Sequence, residues 1–213
     1  MIGLTGGIAS GKSTVTARLR ALGAFVADAD EVSREVMTFP SVLGSVREAF
    51  GPGVFAPDGS LDRVALAERV FSSEKRTAAL NAITHPVIRE ELIRQTCEAE
   101  SLGVYPLVFV DAALLIESGF NLLCDKVWLV TAREDTRIRR VMERDGVSYE
   151  SAKARISRQM PEEEKRAYAD VIIENDSGLG ELIEAVDRAF DAEVRLARSA
   201  ALDEIREAYE EEP

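Results

Sequence analysis

The sequence contains little cysteine and little histidine, and it has fewer positively than negatively charged residues. Its two cysteines, Cys97 and Cys124, lie far apart and in no metal-binding or redox spacing, and it has one histidine. This usage predicts a reducing compartment, which we expect to be the cytoplasm, with two ordinary thiols. Lys and Arg number 26 against 38 Asp and Glu, for a net charge of −12. General nucleic-acid binders present excess positive charge, so we do not expect this protein to bind nucleic acid in that way. Local basic clusters can still bind a small phosphorylated ligand.

Long apolar runs are absent as well. We expect neither a membrane-spanning segment nor a signal peptide, because the first apolar residues already read as a strand. Apolar residues make up 46% of the 213 positions, enough for the core of one α/β domain with insertions. The sequence therefore predicts a globular protein without a membrane anchor.

The strongest motif lies in the first fourteen residues. Ile2–Thr5 is an apolar run that suits a buried strand, and residues 6–13 fit the phosphate-loop pattern G-x-x-x-x-G-K-[ST]. Apolar residues at helical spacing follow, so strand, loop and helix come in the order that the motif requires. An ordinary glycine turn is the alternative, but the Lys-Ser pair at the right offset argues against it.

The chemistry of this loop follows from its residue types. Glycines let successive backbone N–H groups converge on one anion, and the positive end of the following helix adds to the attraction. Lys12 would reach the β- and γ-phosphates of a nucleotide, and the Ser13 hydroxyl would bind Mg²⁺.

Carboxylates follow two further predicted strands. Ala24–Ala27 is followed by Asp28 and Asp30, and Leu107–Val110 is followed by Asp111. Ligands in open parallel sheets bind beyond the carboxyl ends of the strands, so we expect these residues at the same edge as the phosphate loop. One of the first pair would be a general base for an acceptor hydroxyl, although an Asp here also caps a helix. Asp111 would hold Mg²⁺, directly or through water.

Residues 31–103 read as a helical insert between the second and third strands. Apolar residues at helical spacing, interrupted by glycine and proline turns, predict short helices, and Leu80–Glu100 reads as two pieces joined at His85-Pro86. The insert would close over an acceptor molecule. Taken alone, a histidine before proline at a helix start is more often structural than catalytic.

Arginines are concentrated between Arg133 and Arg158, where the sequence holds seven. Some would lie on solvated helix faces, and others would neutralise a migrating phosphoryl group from a helical flap that closes and excludes water. The strands and helices of this part are predicted at Val127–Val130, Glu134–Arg144, Ser148–Gln159, Val171–Glu174 and Leu179–Tyr209.

Beyond the phosphate loop, short motifs make the sequence resemble the dephospho-CoA kinase family. They follow the family's order over about residues 1–190: Leu4-Thr5-Gly6-Gly7-Ile8, Asp28-Ala29-Asp30, Phe50-Gly51, Asp58-Gly59-Ser60-Leu61-Asp62-Arg63, His85-Pro86, Leu114-Leu115 with Glu117, Arg140 with Arg144-Asp145, Gln159, and Ala169-Asp170 with Asn175. The Asp-Ala-Asp and His-Pro motifs together are specific, because other small-molecule kinases do not usually carry both.

The resemblance implies ATP-dependent phosphorylation of the ribose 3′-hydroxyl of dephospho-CoA, the last step of coenzyme A biosynthesis, with Mg²⁺. ATP and dephospho-CoA would be the partners, with no nucleic acid, membrane or obligate protein partner. A kinase of the same fold for another acceptor, such as a nucleoside monophosphate, is the nearest alternative. A slow GTPase switch is disfavoured because residues 130–133 read Val-Thr-Ala-Arg, without the base-reading N-K-x-D motif. An inactive binding module is disfavoured because the lysine and the carboxylates are intact.

The implied fold is α/β, the three-layer phosphate-loop NTPase fold with a five-stranded parallel sheet, a helical acceptor-binding insert and a helical lid. The nucleotide-binding core would comprise residues 1–30, 104–143 and 169–213. The acceptor domain would comprise residues 31–103, and the lid residues 144–168.

The residue roles that the motifs and the resemblance give together fall into four groups. The catalytic group is Asp30 as general base, Lys12, and Arg140 as a lid cation. The ATP-binding group is Gly7, Ile8, Ala9, Ser10, Gly11, Lys12, Ser13, Thr14, Arg140 and Asn175. The acceptor-binding group is Thr5, Asp30, Arg63, His85 and Arg89. The metal ligands are Ser13 and Asp111.

This sequence departs from the family pattern at three places. Ala9 stands where Gly is common, Ala112-Ala113 replaces a usual Val-Pro, and Arg137 stands where Gln is common. These departures concern the local geometry around the phosphate loop rather than the reaction.

Overall fold

A computed structural model describes residues 1–210 of the chain. The fold divides into two compact units, which we call the sheet unit (residues 1–26 and the chain from residue 98 onward) and the helical unit (residues 27–97). The last three residues of the predicted core, 211–213, lie outside the described part.

The sheet unit is built on parallel strands. They are β1 (Ile2–Gly6), β2 (Phe25–Asp28), β3 (Val108–Asp111), β4 (Lys126–Thr131) and β5 (Val171–Glu174). The order across the sheet is β2-β3-β1-β4-β5, with β1 paired in parallel to β3 and β4, and β4 paired in parallel to β5. The predicted five-stranded parallel sheet is confirmed, and every strand lies within two residues of its predicted position.

Helices fill the connections. They are α1 (Lys12–Ala21), α2 (Ala29–Val36), α3 (Pro40–Phe50), α4 (Arg63–Phe71), α5 (Glu74–Leu102), α6 (Glu134–Asp145), α7 (Tyr149–Ile156), α8 (Glu162–Arg166) and α9 (Leu179–Glu210). The sequence pattern does not indicate α8, a short helix of five residues that are all charged. Within residues 1–210, no helix combines the length and the apolar character needed to cross a membrane.

The core of the sheet unit lies between the sheet and the helices α1 and α9. Strand residues Leu4, Phe109 and Trp128 are fully buried, and Val15 of α1 and Val186 of α9 are buried in the same cluster. Continuous apolar strands are expected in a parallel sheet, whose two faces are both covered. The core therefore fixes the place where β1 ends, which is where the phosphate loop begins.

The helical unit confirms the predicted insert, with one correction. Leu80–Glu100 does not form two pieces, since α5 continues through Pro86. A proline removes one backbone donor, and the helix persists because packing holds it on both sides: Thr84 and Leu92 are buried. His85 therefore lies in the middle of a helix and not at its start.

A second difference concerns the residues after β2. The sequence pattern suggests a helix beginning near Glu31, with Asp28 and Asp30 on extended chain, but α2 already begins at Ala29. The Asp28 side chain accepts hydrogen bonds from the N–H groups of Asp30 (2.8 Å) and Glu31 (3.0 Å). Asp28 is thus the N-cap of α2, and Asp30 lies in its first turn, exposed to solvent.

Candidate functional site

The phosphate loop connects the end of β1 to the start of α1, and two of its glycines lie close against side chains from other elements. Gly11 has φ +100°, and a Cβ there would collide with the side-chain amide of Asn175. A Cβ on Gly7 would lie 2.5 Å from a terminal nitrogen of Arg137. A side chain at Gly11 is therefore excluded, and one at Gly7 would require the Arg137 guanidinium to move.

Ala9 is the one non-glycine residue in the described chain with a positive φ, at +60°. The left-handed conformation costs an alanine about 1 kcal/mol, because its Cβ approaches the following carbonyl oxygen. The departure from glycine noted in the sequence thus introduces backbone strain at the centre of the loop.

Side chains from distant elements hold the loop. Asn175, at the end of β5 and buried, donates its side-chain N–H to the carbonyl oxygen of Ser10 at 2.8 Å. Arg140 of α6 donates to the carbonyl oxygens of Ala9 (3.3 Å) and Asn175 (3.0 Å). Two of the predicted ATP-binding residues are therefore part of the scaffold that shapes the loop.

Lys12 and Asp111 form an ion pair below the loop. The Lys12 ammonium contacts one carboxylate oxygen of Asp111, and the Thr16 hydroxyl donates to the other at 2.5 Å. Asp111 is only 3% exposed, and these two partners compensate the cost of burying its carboxylate. This arrangement brings the predicted phosphate-binding cation and the predicted metal ligand together.

The donor set fits Mg²⁺. Ser13 offers an exposed hydroxyl one residue from Lys12, and Asp111 offers a carboxylate. The described residues contain no cluster of three or more His, Cys, Asp or Glu that would form a dedicated metal cage. Mg²⁺ usually takes only one or two protein ligands and completes its shell with water and substrate phosphates, so a hydroxyl and a carboxylate suffice.

A cavity of about 550 Å³ opens above the loop. Its walls include every predicted ATP-binding residue. It is lined by residues 6–14 together with Ala113, Arg140, Arg144, Gln159, Asn175, Gly178, Leu179 and Leu182. That these residues bind ATP stays a prediction, but the fold brings them to one place, of a size that suits a nucleotide.

Several cavity residues are not among the predicted nucleotide contacts, although Arg144 and Gln159 belong to the motifs of the resemblance. Arg144 hydrogen-bonds to Asp145 at 2.7 Å and lowers the pKa of that carboxyl. Gln159 accepts a hydrogen bond from the backbone N–H of Ile8 at 2.7 Å. The walls near Leu179 and Leu182 come from the first turn of α9. No local pattern marks these residues as nucleotide contacts, because only the fold carries their segments to the loop.

Thr5 is the one predicted acceptor residue in the sheet unit. It is buried, and its hydroxyl donates to the carbonyl oxygen of Ala113 at 3.3 Å. The same carbonyl accepts from the Lys165 ammonium at 3.3 Å, and Lys165 pairs with Glu117 at 2.8 Å. Lys165 is 1% exposed, so a buried cation that the sequence did not single out anchors the chain after β3.

The remaining predicted acceptor residues belong to the helical unit and are exposed: Asp30, Arg63, His85 and Arg89. His85 and Arg89 lie one turn apart on α5, and therefore on one face of that helix. Arg63, at the start of α4, donates to the carbonyl oxygen of Arg34 at 3.4 Å. Arg34 and Arg63 line a cavity of about 200 Å³ whose other walls are mostly apolar, among them Met37, Leu66 and Phe71.

Comparisons with known proteins show similarity to one family over most of the chain. The family model of dephospho-CoA kinase matches residues 1–181. A dephospho-CoA kinase from Geobacter sulfurreducens is 47% identical over 183 residues, which cover 85% of this chain and 92% of the relative. One from Anaeromyxobacter dehalogenans is 42% identical over 203 residues, which cover 95% of each chain.

Solved structures agree. The crystal structure of a Thermus thermophilus protein, 41% identical, matches with a TM-score of 0.76 and covers 90% of this chain and 96% of that one. The dephospho-CoA kinase from Campylobacter jejuni, 26% identical, matches with a TM-score of 0.65 over the same shares of the two chains. The similarity thus extends over the sheet unit and the helical unit.

Proposed function

The chain belongs to the dephospho-CoA kinase family, as its motifs indicate, and on that premise we propose that it transfers the γ-phosphoryl group of ATP to the ribose 3′-hydroxyl of dephospho-CoA. The products are CoA and ADP. The observation that carries the proposal is the phosphate loop, with Lys12 and Ser13 in place and a nucleotide-sized cavity above it. The choice of acceptor rests on the family.

The loop and its cations would bind the phosphates of ATP. Backbone N–H groups of the loop and the N-terminus of α1 attract the phosphate oxygens. Lys12 neutralises charge on the β- and γ-phosphates, and Arg140, which lines the cavity from α6, adds a second cation. Both contribute most in the transition state, when charge on the equatorial oxygens is redistributed.

Asp30 would act as the general base. Its carboxylate accepts the proton of the ribose 3′-hydroxyl as the bond between that oxygen and the γ-phosphorus forms. The bond from the γ-phosphorus to the β–γ bridging oxygen breaks, and ADP leaves with the bonding electron pair. Asp30 is exposed in the first turn of α2, so solvent and substrate can both reach it.

Ser13 and Asp111 would hold Mg²⁺. The ion supplies charge neutralisation to the β- and γ-phosphates when it is bound. Lys12 orients the buried Asp111 carboxylate through their ion pair. The same pair places the Lys12 ammonium at the base of the loop.

Thr5, Arg63, His85 and Arg89 would bind the acceptor, with the arginines directed at its phosphates. Residues 31–103 would then serve as the acceptor domain and residues 144–168 as the lid over the core of residues 1–30, 104–143 and 169–213. We place the reaction in the cytoplasm, without a nucleic acid, membrane or obligate protein partner.

A coupled assay of ADP release tests the proposal directly. The protein is supplied with ATP, Mg²⁺ and one acceptor at a time: dephospho-CoA, AMP, CMP or shikimate. We expect turnover with dephospho-CoA alone, with CoA identified as the product by mass. Turnover with another acceptor, or slow hydrolysis with none, would overturn the assigned acceptor and leave the nucleotide site standing.

A further inference from the structure

Four successive peptide groups of the phosphate loop are held by side chains from other parts of the sheet unit. Gln159 accepts from the N–H of Ile8, and Arg137 donates its Nε–H to the carbonyl oxygen of Ile8 at 2.9 Å. Arg140 and Asn175 bind the next two carbonyl groups. Of these side chains, Arg137 and Gln159 belong to none of the predicted site groups, and Arg137 is the charged and buried one of the two.

Arg137 reaches the loop from outside the nucleotide cavity. It lines a second cavity, of about 640 Å³, whose walls come mostly from α6 and from residues 156–166. Its guanidinium lies against Gly7, where an added Cβ would be 2.5 Å from it. The nucleotide cavity is lined by Gln159 but not by Arg137.

Burying the Arg137 guanidinium costs free energy, and its contacts in the protein must compensate that cost. Arg137 is 6% exposed, and burial lowers the pKa of its guanidinium. The nearest carboxylate, that of Glu162, is 3.6 Å away, which is too far for a strong charge-assisted hydrogen bond. The hydrogen bond to Ile8 is therefore the best-defined contact of this buried cation.

The loop needs support at this point. The peptide groups on both sides of Ile8 precede Ala9, whose positive φ is strained. The side chains of Ile8 and Ala9 also pack against a cluster of buried residues on α6 and α7, comprising Ile138, Val141, Ala152 and Ile156. Packing sets the position of the loop, and hydrogen bonds set the direction of its peptide groups.

We propose that Arg137 is a positioning residue for nucleotide binding: its hydrogen bond to Ile8, opposite that of Gln159, fixes the loop so that its N–H groups face the nucleotide phosphates. The inference rests on the proposed function only for the identity of the ligand as ATP. Arg137 acts through the loop backbone and touches neither substrate.

Three substitutions separate the hydrogen bond from the charge. Arg137→Gln carries an N–H donor the same number of bonds from Cα as the arginine Nε, but no charge. Arg137→Met places a methyl group there and removes both, and Arg137→Lys keeps the charge. Arg139→Met is the matched control, because Arg139 is exposed and lies two residues further along α6, on the other face of the helix.

The measurements are ADP affinity by calorimetry, the KM values of both substrates, and the melting temperature without nucleotide. We expect Arg137→Met to weaken ADP binding and raise the KM of ATP by about tenfold. The KM of dephospho-CoA should stay within about twofold of the wild-type value, because a change in the direction of the loop N–H groups weakens only the binding of the nucleotide. Arg137→Gln should bind ADP as the wild type does, and so should Arg139→Met.

Replacing a buried charge by an apolar residue of similar length is often tolerated, so Arg137→Met should fold. If it does not, Arg137→Leu, which also removes both the donor and the charge, takes its place and is interpreted in the same way. Wild-type ADP affinity in Arg137→Met, or equal loss in Arg137→Gln and Arg137→Met with rescue by Arg137→Lys, would overturn the inference. A wild type that binds ADP but does not phosphorylate dephospho-CoA would overturn the proposed function alone.

Discussion

The sheet unit and the helical unit present their predicted functional residues in opposite ways. In the sheet unit, the nucleotide residues form one continuous loop whose peptide groups are held by Gln159, Arg137, Arg140 and Asn175. In the helical unit, the predicted acceptor residues are exposed side chains on three helices.

The difference teaches where function and stability are coupled. A loop that is shaped by buried hydrogen bonds and ion pairs cannot lose a side chain without some loss of structure. Exposed side chains on helices can be exchanged at little cost to the fold. Substitutions of buried residues that shape the loop should therefore change binding and stability together, and substitutions of the exposed acceptor residues should change activity alone.

Lys12→Ala should have the largest effect. It removes the cation from the transferring phosphoryl group, and we expect kcat/KM to fall by about a thousandfold. It also leaves the buried Asp111 carboxylate without its ionic partner, so the free energy of unfolding should fall as well. Steady-state kinetics and urea denaturation measure the two effects. Lys75→Ala, at an exposed lysine of α5, is the control for loss of one positive charge. Unchanged kinetics in Lys12→Ala would contradict the loop assignment.

Asp30→Asn should have a comparably large effect on the rate alone. Loss of the general base should lower kcat by about 10²- to 10³-fold, while ADP affinity and melting temperature stay unchanged. Asp28→Asn is the matched control two residues away, because Asn caps a helix as well as Asp does. Asp28→Ala should lower the free energy of unfolding by about 1 kcal/mol without removing the base. Equal turnover in Asp30→Asn and the wild type would exclude Asp30 as the base.

Glu117→Gln tests whether burial, rather than membership of the sheet unit, sets the cost. It leaves the Lys165 ammonium, 1% exposed, without a charged partner, and we expect a loss of about 2 kcal/mol in unfolding free energy. Glu184→Gln breaks an exposed ion pair with Arg188 in the same unit and should change stability very little. Similar losses in both variants would show that burial is not the cause.

Ala9→Gly should have the smallest effect and the opposite sign. Glycine adopts φ +60° without a Cβ clash, so the variant should gain about 1 kcal/mol in unfolding free energy, less the entropy that glycine adds to the unfolded chain. Ala17→Gly, at an exposed site within α1, should instead lose about 1 kcal/mol. A loss of stability in both variants would mean that Ala9 carries no net strain.

Prediction from the sequence succeeded best where the signal is contiguous. The apolar strand, the glycine pattern and the Lys-Ser pair all lie within fourteen residues, and the structure places β1, the loop and α1 there. Prediction was wrong at Pro86, because a local rule on proline does not include the packing that keeps α5 continuous. It also began α2 two residues late, because the hydrogen bonds of the Asp28 cap extend the helix backwards.

The sequence by itself determined the strands, the phosphate loop, the helical insert and the family, since each depends on neighbouring residues or on motifs in a fixed order. Only the tertiary structure decided that Arg137, Gln159 and Asn175 hold the loop, and that Lys165 is buried against Glu117. Those contacts join residues far apart along the chain. They exist because the sheet and its helices are packed in one particular order, and no local pattern encodes that order.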